Sequence, residues 1–384
     1  MPAPPIRVGL VTACAFPAPR GSQVLVDEMA RAFARAGTPV HVIAPALGAT
    51  RAHPYTFHPG GRTPSRRIAV PGASAWVRSL CDAGLIVRLA EVVRRERLSV
   101  LHAHNYEGLA AALVVKRLRR IPVVYHSHNV LADELPSYSR PGLKGAARRL
   151  GAWCDRWLPR MADQVVALSA DVGEYLLRHG VRADRLSVIA PGLDPAPFAD
   201  LPRNKRFRRI VFSGNLDRYQ NLDLLLDAWA LASASDAGID FTLITHAPTW
   251  GIERRIARLG MARRVRVVAA RSLAHVADEL SRATVGVSPR TSWSGFPIKT
   301  LNYMASGLAT VALAASAKGI VHGETGWVVR EQGAREFSSA LLTALSEPTA
   351  SCRRGERARE ALREGHSWER LTPRLLEVAE RAIA

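Results

Sequence analysis

The residues of this chain best suited to chemistry are two close-set histidine pairs and a lysine at the start of a helix. The pairs stand in LHAHN (His102, His104) and YHSHN (His126, His128). A spacing of two puts both imidazoles of a strand on one side. The last member of each pair then projects where parallel sheets present their ligands. Such histidines are either satisfied internal groups or a polar rim that touches substrate; in the second case His128 is the best-placed residue. The lysine lies in SPRTSWSGFPIKTLNYMASG, 288–307. A strand ending at Ser288 gives way to a loop with Gly295, and Pro297 suits the first position of a helix. The N–H groups of Gly295 and Phe296 then sit at a positive helix end. Lys299 falls in the first helical turn, where the dipole disfavours a cation unless an anion is bound. That combination describes a phosphate site, and a solvated lysine is the plain alternative. A second loop, CAFPAPRGSQ, opens a helix near Gly21 and Ser22, which is either an ordinary turn or another anion-facing helix start.

Positioning these groups requires a repeated strand–helix rhythm, and the chain has one. Ile6–Val11, Val40–Ala44, Val100–His102, Val123–His126, Val165–Leu168 and Leu186–Ala190 are short apolar runs separated by helical patterns. Strands of this kind are buried on both faces of a parallel sheet. The segment APGLDPAPFADLPRNKR, 190–206, breaks the texture with four prolines and a basic cluster. A second series follows: Ile210–Ser213, Phe241–Thr245, Val265–Ala269, Val285–Ser288, Ala309–Leu313 and Trp327–Val329. The expected fold class is α/β, with two Rossmann-like doubly wound domains facing a central cleft. The predicted domains are 1–195 and 196–366, with 367–384 a C-terminal helix crossing back to the first.

Composition narrows the function classes. The 384 residues carry a net charge of +20 and are 48% hydrophobic, an ordinary globular balance. Of the 53 basic residues only five are lysines, and the other 48 are arginines spread evenly along the chain. That is most simply the codon bias of a GC-rich genome. No basic tail or aromatic-interleaved basic run marks a nucleic-acid partner, although a positive surface favours phosphates, nucleotides or acidic lipid. Cys14, Cys81, Cys154 and Cys352 are far apart, with no C-x-x-C and no Cys/His pair at zinc spacing. The N-terminal segment does not have the layout of a signal peptide, and no apolar run is long enough to span a bilayer. The expectation is a cytoplasmic protein, with any membrane contact peripheral, at the inner face.

The order of motifs resembles that of retaining, family 4 glycosyltransferases of the GT-B type over nearly the whole chain. RIVFSGNLDRYQNLDLLLDAWA, SGFPIKTLNYMASGLATVAL and HGETGWVV resemble the donor-binding domain. PRGSQVLVDEMARAFARAGTPVHVIAP, LHAHNYEGLAAAL, PVVYHSHN, ALSADVGEYLLRHGV and IAPGLDPAPF resemble the acceptor domain, and HSWERL the closing helix. The resemblance implies sugar transfer from a nucleotide-sugar donor, held by the C-terminal domain, to a lipid, polysaccharide or small-molecule acceptor, held by the N-terminal one. It places Ser294, Gly295 and Phe296 at the donor pyrophosphate, His128 by the donor sugar as the catalytic residue, and Gly21 and Ser22 near the phosphate. His104, His126 and Asn129 fall on the acceptor side. No D-x-D pair is present, and no catalytic metal or other cofactor is expected.

Departures from the family pattern fall in the donor site. The usual Glu-x7-Glu is replaced by Ser294 and Asn302. The Gly-Arg-x4-Lys turn keeps Gly214 but has Asn215 and Gln220 for its two cations. Arg218, Arg290 and Lys299 are the available compensating charges, and Asn302 can still hydrogen-bond a ribose hydroxyl. The lost glutamates also fit a degenerate subunit that binds a nucleotide sugar without turnover. Acceptor specificity is expected in loops 46–66 and 129–142.

One further stretch, 143–161, has Leu143, Ala147, Leu150, Cys154, Trp157, Leu158 and Met161 at helical spacing, with Lys144, Arg148, Arg149, Arg156 and Arg160 opposite. A helix of this type either packs its apolar stripe on a core or lies on anionic lipid.

Overall fold

The computed structural model describes residues 5–18, 20–46, 53–62, 75–199 and 208–384, over which short strands alternate with helices. The chain divides into two compact units. Unit 1 comprises Met1–Gly192, Ser294–Phe296 and Trp368–Ala384; unit 2 comprises Leu193–Trp293 and Pro297–Ser367. The first break thus lies three residues before the predicted 195/196 boundary. Residues 200–206 of the predicted linker lie outside the described residues.

Unit 1 holds β1 (Val8–Thr12), β2 (Val40–Ala46), β3 (Thr56–Arg62), β4 (Val100–His104), β5 (Val123–Ser127), β6 (Gln164–Ala167) and β7 (Leu186–Val188). They form one sheet in the order β3-β2-β1-β4-β5-β6-β7, every pair parallel. Strands β1, β4 and β5 are buried along their whole length, as expected where helices cover both faces. Strand β3 is a correction: residues 46–66 read as a loop because Pro59, Gly60 and Gly61 are poor strand formers, yet Thr56–Arg62 pairs with β2 at the sheet edge. An edge tolerates Pro because one side of the strand needs no ladder partner. Residues 47–52 and 63–66 of that loop lie outside the described residues.

The helix Trp368–Ile383 completes unit 1. Trp368, Leu371, Leu375 and Val378 are buried in the same core as Leu25, Val26 and Met29 of the helix Gly21–Arg35. Burying each such side chain stabilises by about 1.5–3 kcal/mol. Trp368 Nε1 donates to Glu28 Oε2 at 3.0 Å. The indole lies against Gly192, where an added Cβ would come within 2.6 Å of the ring.

Unit 2 holds β8 (Arg209–Ser213), β9 (Asp240–Thr245), β10 (Val265–Ala269), β11 (Val285–Ser288), β12 (Ala309–Leu313) and β13 (Gly326–Val329). Their order is β10-β9-β8-β11-β12-β13, again all parallel. The core is built on Trp229, Phe241 and Phe337. Strand order reverses between β1 and β4 in unit 1 and between β8 and β11 in unit 2, and ligands of doubly wound sheets bind at the carboxyl ends of strands beside such a reversal.

Candidate active site

In unit 1 the four histidines form a stack at the carboxyl ends of β4 and β5. The parallel register sets His104 opposite His126, and their rings stack at 4.5 Å. His102 Nδ1 lies 2.8 Å from His126 Nε2, and His104 Nδ1 lies 2.9 Å from His128 Nε2. His104 and His126 are fully buried and His128 nearly so. Of the residues expected on the acceptor side, neither His104 nor His126 reaches the surface, and their direct partners are other histidines. Burial pushes the His102 imidazole down to about 3 and His128 to about 4. Burial, and then the neighbouring imidazoles, hold His104 and His126 well below the usual range. All four are therefore neutral at pH 7.

His104 Nε2 is buried without a hydrogen-bond partner. The tautomer that leaves no orphaned N–H at that atom has the His104 proton on Nδ1, donated to His128 Nε2, and the His128 proton on Nδ1. The loop after β1 is tied to the β4 end by Asn105 Nδ2, which donates to Cys14 Sγ at 3.4 Å. Gly21 and Ser22 open their helix with no side-chain cap on the first N–H groups. Asn129 takes part through its carbonyl, which accepts from Ser127 Oγ at 3.3 Å.

In unit 2 three of the predicted donor residues, Gly214, Asn215 and Gln220, gather around Lys299. Strands β8 and β11 pair only at Ile210–Val285 and Val211–Gly286. Beyond that point the Tyr303 hydroxyl accepts from Ser213 N at 2.8 Å and donates to Val287 O at 3.2 Å. Lys299 is the second residue of the helix Ile298–Ala305 and is buried. Its ammonium donates to Gln220 Oε1 and lies 4.0 Å from the Phe212 ring centroid. Gln220 Nε2 donates to Asn215 Oδ1 at 2.8 Å, and Asn215 Nδ2 donates to Asp217 Oδ2 and the Tyr219 hydroxyl at 2.9 and 2.8 Å. A Cβ on Gly214, whose φ is +151°, would come within 3.3 Å of Lys299 Nζ. The two positions that lack the family's cations are thus wired to a cation from another element. Burial, and then the Arg290 charge, hold the Lys299 ammonium well below its ordinary pKa. Arg290 lies 5.0 Å over the Tyr219 ring. Arg218 is exposed, outside this network. Asn302 Oδ1 is a buried acceptor with no partner.

Ser294–Phe296 belongs to unit 1. Ser294 N and Oγ both donate to Asp133 Oδ2, at 3.2 and 2.7 Å. Gly295 has φ +77°, a conformation that suits glycine. Asp133 thus occupies the N–H of Ser294, while the N–H groups that the motif offers to a phosphate are those of Gly295 and Phe296.

Residues 19–197 match the model of Glycosyltransferase Family 4, and residues 207–347 match Glycosyl transferases group 1. The chain is a family 4 glycosyltransferase. The transferase is 24% identical to the D-inositol 3-phosphate glycosyltransferase of Pseudarthrobacter chlorophenolicus, over 94% of its own length and 90% of that protein. It is 25% identical to the alpha-maltose-1-phosphate synthase of Mycolicibacterium smegmatis, over 88% and 90%. Among solved structures it superposes on sucrose-phosphate synthase of Thermosynechococcus elongatus with a TM-score of 0.82 at 16% identity, covering 98% of both chains. It also superposes on Anabaena HepE, solved with UDP-glucose, with a TM-score of 0.75 at 15% identity, over 98% and 99%. The transferase therefore has the GT-B architecture of two Rossmann-like domains. Asp133, Phe212 and Tyr303 escaped the sequence because nothing local ties them to Ser294, Lys299 and Ser213.

Proposed function

We propose that the enzyme binds a nucleotide-sugar donor on unit 2 and transfers the sugar, with retention of configuration, to an acceptor held by unit 1. The observation that carries this reading is Lys299, a buried ammonium at a helix start beside the end of β8, whose direct company among the described residues is Gln220 and the Phe212 face. A buried cation in that state gains most from an anion, and a diphosphate leaving group supplies one. Arg290 adds a second charge, the N–H groups of Gly295 and Phe296 supply backbone donors, and the unfilled Asn302 Oδ1 suits a ribose hydroxyl. His128 Nδ1–H hydrogen-bonds a hydroxyl of the donor sugar. Gly21 and Ser22 offer their helix start to the phosphate. No catalytic metal is required, because Lys299 and Arg290 neutralise the diphosphate as it leaves.

A thermal-shift panel of UDP-, GDP-, ADP- and dTDP-sugars, followed by mass spectrometry of products, tests the reading. UDP-sugars come first because HepE is solved with UDP-glucose. At least one donor should stabilise the protein and be turned over in the presence of chelator. No shift with any donor, or strict dependence on a divalent ion, would overturn the corresponding claim.

The structure also bears on the segment 143–161. Its helix Lys144–Trp157 turns Gly151 and Asp155 inward, not its apolar stripe. A Cβ on Gly151 would meet the backbone of Leu131 and Ala132 at 2.5 Å. Asp155 accepts from Leu131 N, Ala132 N and the hydroxyls of Tyr106 and Tyr175. Leu143, Leu150, Trp153, Trp157 and Met161 are all 46–59% exposed. Arg156 and Arg160 lie over the Trp157 ring at 5.7 and 5.1 Å. No helix among the described residues is long and apolar enough to cross a membrane. We assign this basic, aromatic face to an anionic bilayer surface. The protein should float with phosphatidylglycerol-containing vesicles and not with phosphatidylcholine alone. Trp153→Ser with Trp157→Ser should weaken that binding about tenfold or more. Equal flotation of wild type and variant would remove the assignment.

A further inference from the structure

We propose that His41, His58 and Glu96 form a binding site for a divalent transition-metal ion, zinc by preference, at the β2–β3 edge of unit 1. One ligand atom from each residue can be chosen so that all three lie within 4.8 Å of one another. His41 is the second residue of β2, His58 the third of β3, and Glu96 follows the helix Ala75–Arg95. Both imidazoles are buried. Their facing atoms, His41 Nδ1 and His58 Nε2, lie 2.9 Å apart.

That contact is a hydrogen bond in the ion-free protein; the ion takes its place, and the shared proton passes through solvent to the outer nitrogen of the donating ring, so that both imidazoles stay neutral. Two nitrogens on a tetrahedral zinc at its usual bond length are about 3.3 Å apart. The pair therefore opens by a few tenths of an ångström, which an edge strand accommodates readily. Two neutral imidazoles and a carboxylate are a common zinc set, leaving one position for water. The charges facing the site are Arg7, Arg88, Arg95, Glu91 and Glu96. Arg88 is already paired with Glu91 at 2.7 Å and Arg95 with Glu96 at 2.8 Å. Freeing Glu96 means breaking a solvent-exposed ion pair, which contributes little to stability. Arg95 then turns from His58 Nδ1, 3.5 Å away, toward Glu91, at 3.8 Å.

The site lies toward the amino end of β2, at the other end of the sheet from His128. Its role is to hold the edge strand β3 against β2 and the end of the helix Ala75–Arg95. It is independent of the donor chemistry, so its failure and the failure of the proposed function are separable.

The test uses the full chain stripped with chelator and desalted. Titration with Co2+ should give one equivalent of visible absorption with tetrahedral intensity, and excess Zn2+ should raise Tm by about 2–5 °C. His58→Asn should abolish both signals, and Glu96→Gln should weaken ion affinity about tenfold or more. Glu96 is partly exposed, so its variant keeps the test decisive if His58→Asn fails to fold. Absence of the absorption, or an undiminished Zn2+ shift in Glu96→Gln, would overturn the site. Activity need not change in any arm.

Discussion

Replacing Lys299 with methionine is expected to weaken nucleotide-sugar binding by about 100-fold, since a charge-assisted hydrogen bond to phosphate contributes about 1.5–3 kcal/mol. The empty protein should be at least as heat-stable. Lys299 is buried, so its ammonium is poorly solvated, and methionine relieves that desolvation while filling similar space over Phe212. A residue that merely held the fold would behave in the opposite way, lowering Tm and sparing affinity. A protonation signature accompanies the charge. Burial, and then Arg290, depress the Lys299 pKa in the empty site, and an arriving diphosphate raises it again. Donor binding therefore takes up a proton at pH values between the two, measurable by calorimetry in buffers of different ionisation enthalpy. Unchanged affinity in Lys299→Met would show that the diphosphate binds elsewhere.

Between pH 6.5 and 5 the protein is expected to lose about 3 kcal/mol of stability through two histidines alone. His102 and His128 are buried, and burial lowers them to about 3 and 4. A histidine whose folded pKa lies below its unfolded value binds fewer protons when folded. Its contribution is complete above the unfolded pKa and is lost as the pH falls toward the folded one. His104 and His126 shift in the same direction and steepen the loss. Denaturant titrations at a series of pH values should give a slope of about 1.4 kcal/mol per unit per histidine below pH 6. His102→Leu should flatten that slope, and a wild-type profile flat from 6.5 to 5 would contradict the buried neutral stack. An activity inflection near pH 6.5 would likewise have to come from a group other than His128.

The parallel strands were legible because burial on both faces leaves a nearly continuous apolar run, as in β1 and β12. Strand β3 was not, because Pro59 and two glycines hide it and only its pairing with β2 at the sheet edge reveals it. The same obstacle hid His58, whose ring neighbour His41 lies 17 residues away. Lys299 was legible from its helix position, but its link to Gln220 spans 79 residues and no local pattern encodes it. Residues 143–161 showed an apolar stripe without showing where it points. That direction depends on Gly151 and Asp155, the one admitting close helix packing and the other capping the helix Leu131–Tyr138.

The Lys299–Gln220 hydrogen bond also constrains how this sequence can change. Restoring the lysine common in the family at position 220 would set two ammonium groups against each other in a buried place, and losing Lys299 alone would leave the site without its nearest cation. Each single step is worse than either end state. Exchange of both residues together, Gln220→Lys with Lys299→Gln, keeps one cation and one acceptor in contact. The two positions should therefore vary as a pair among close relatives, so that the fitness of one cannot be judged without knowing the other.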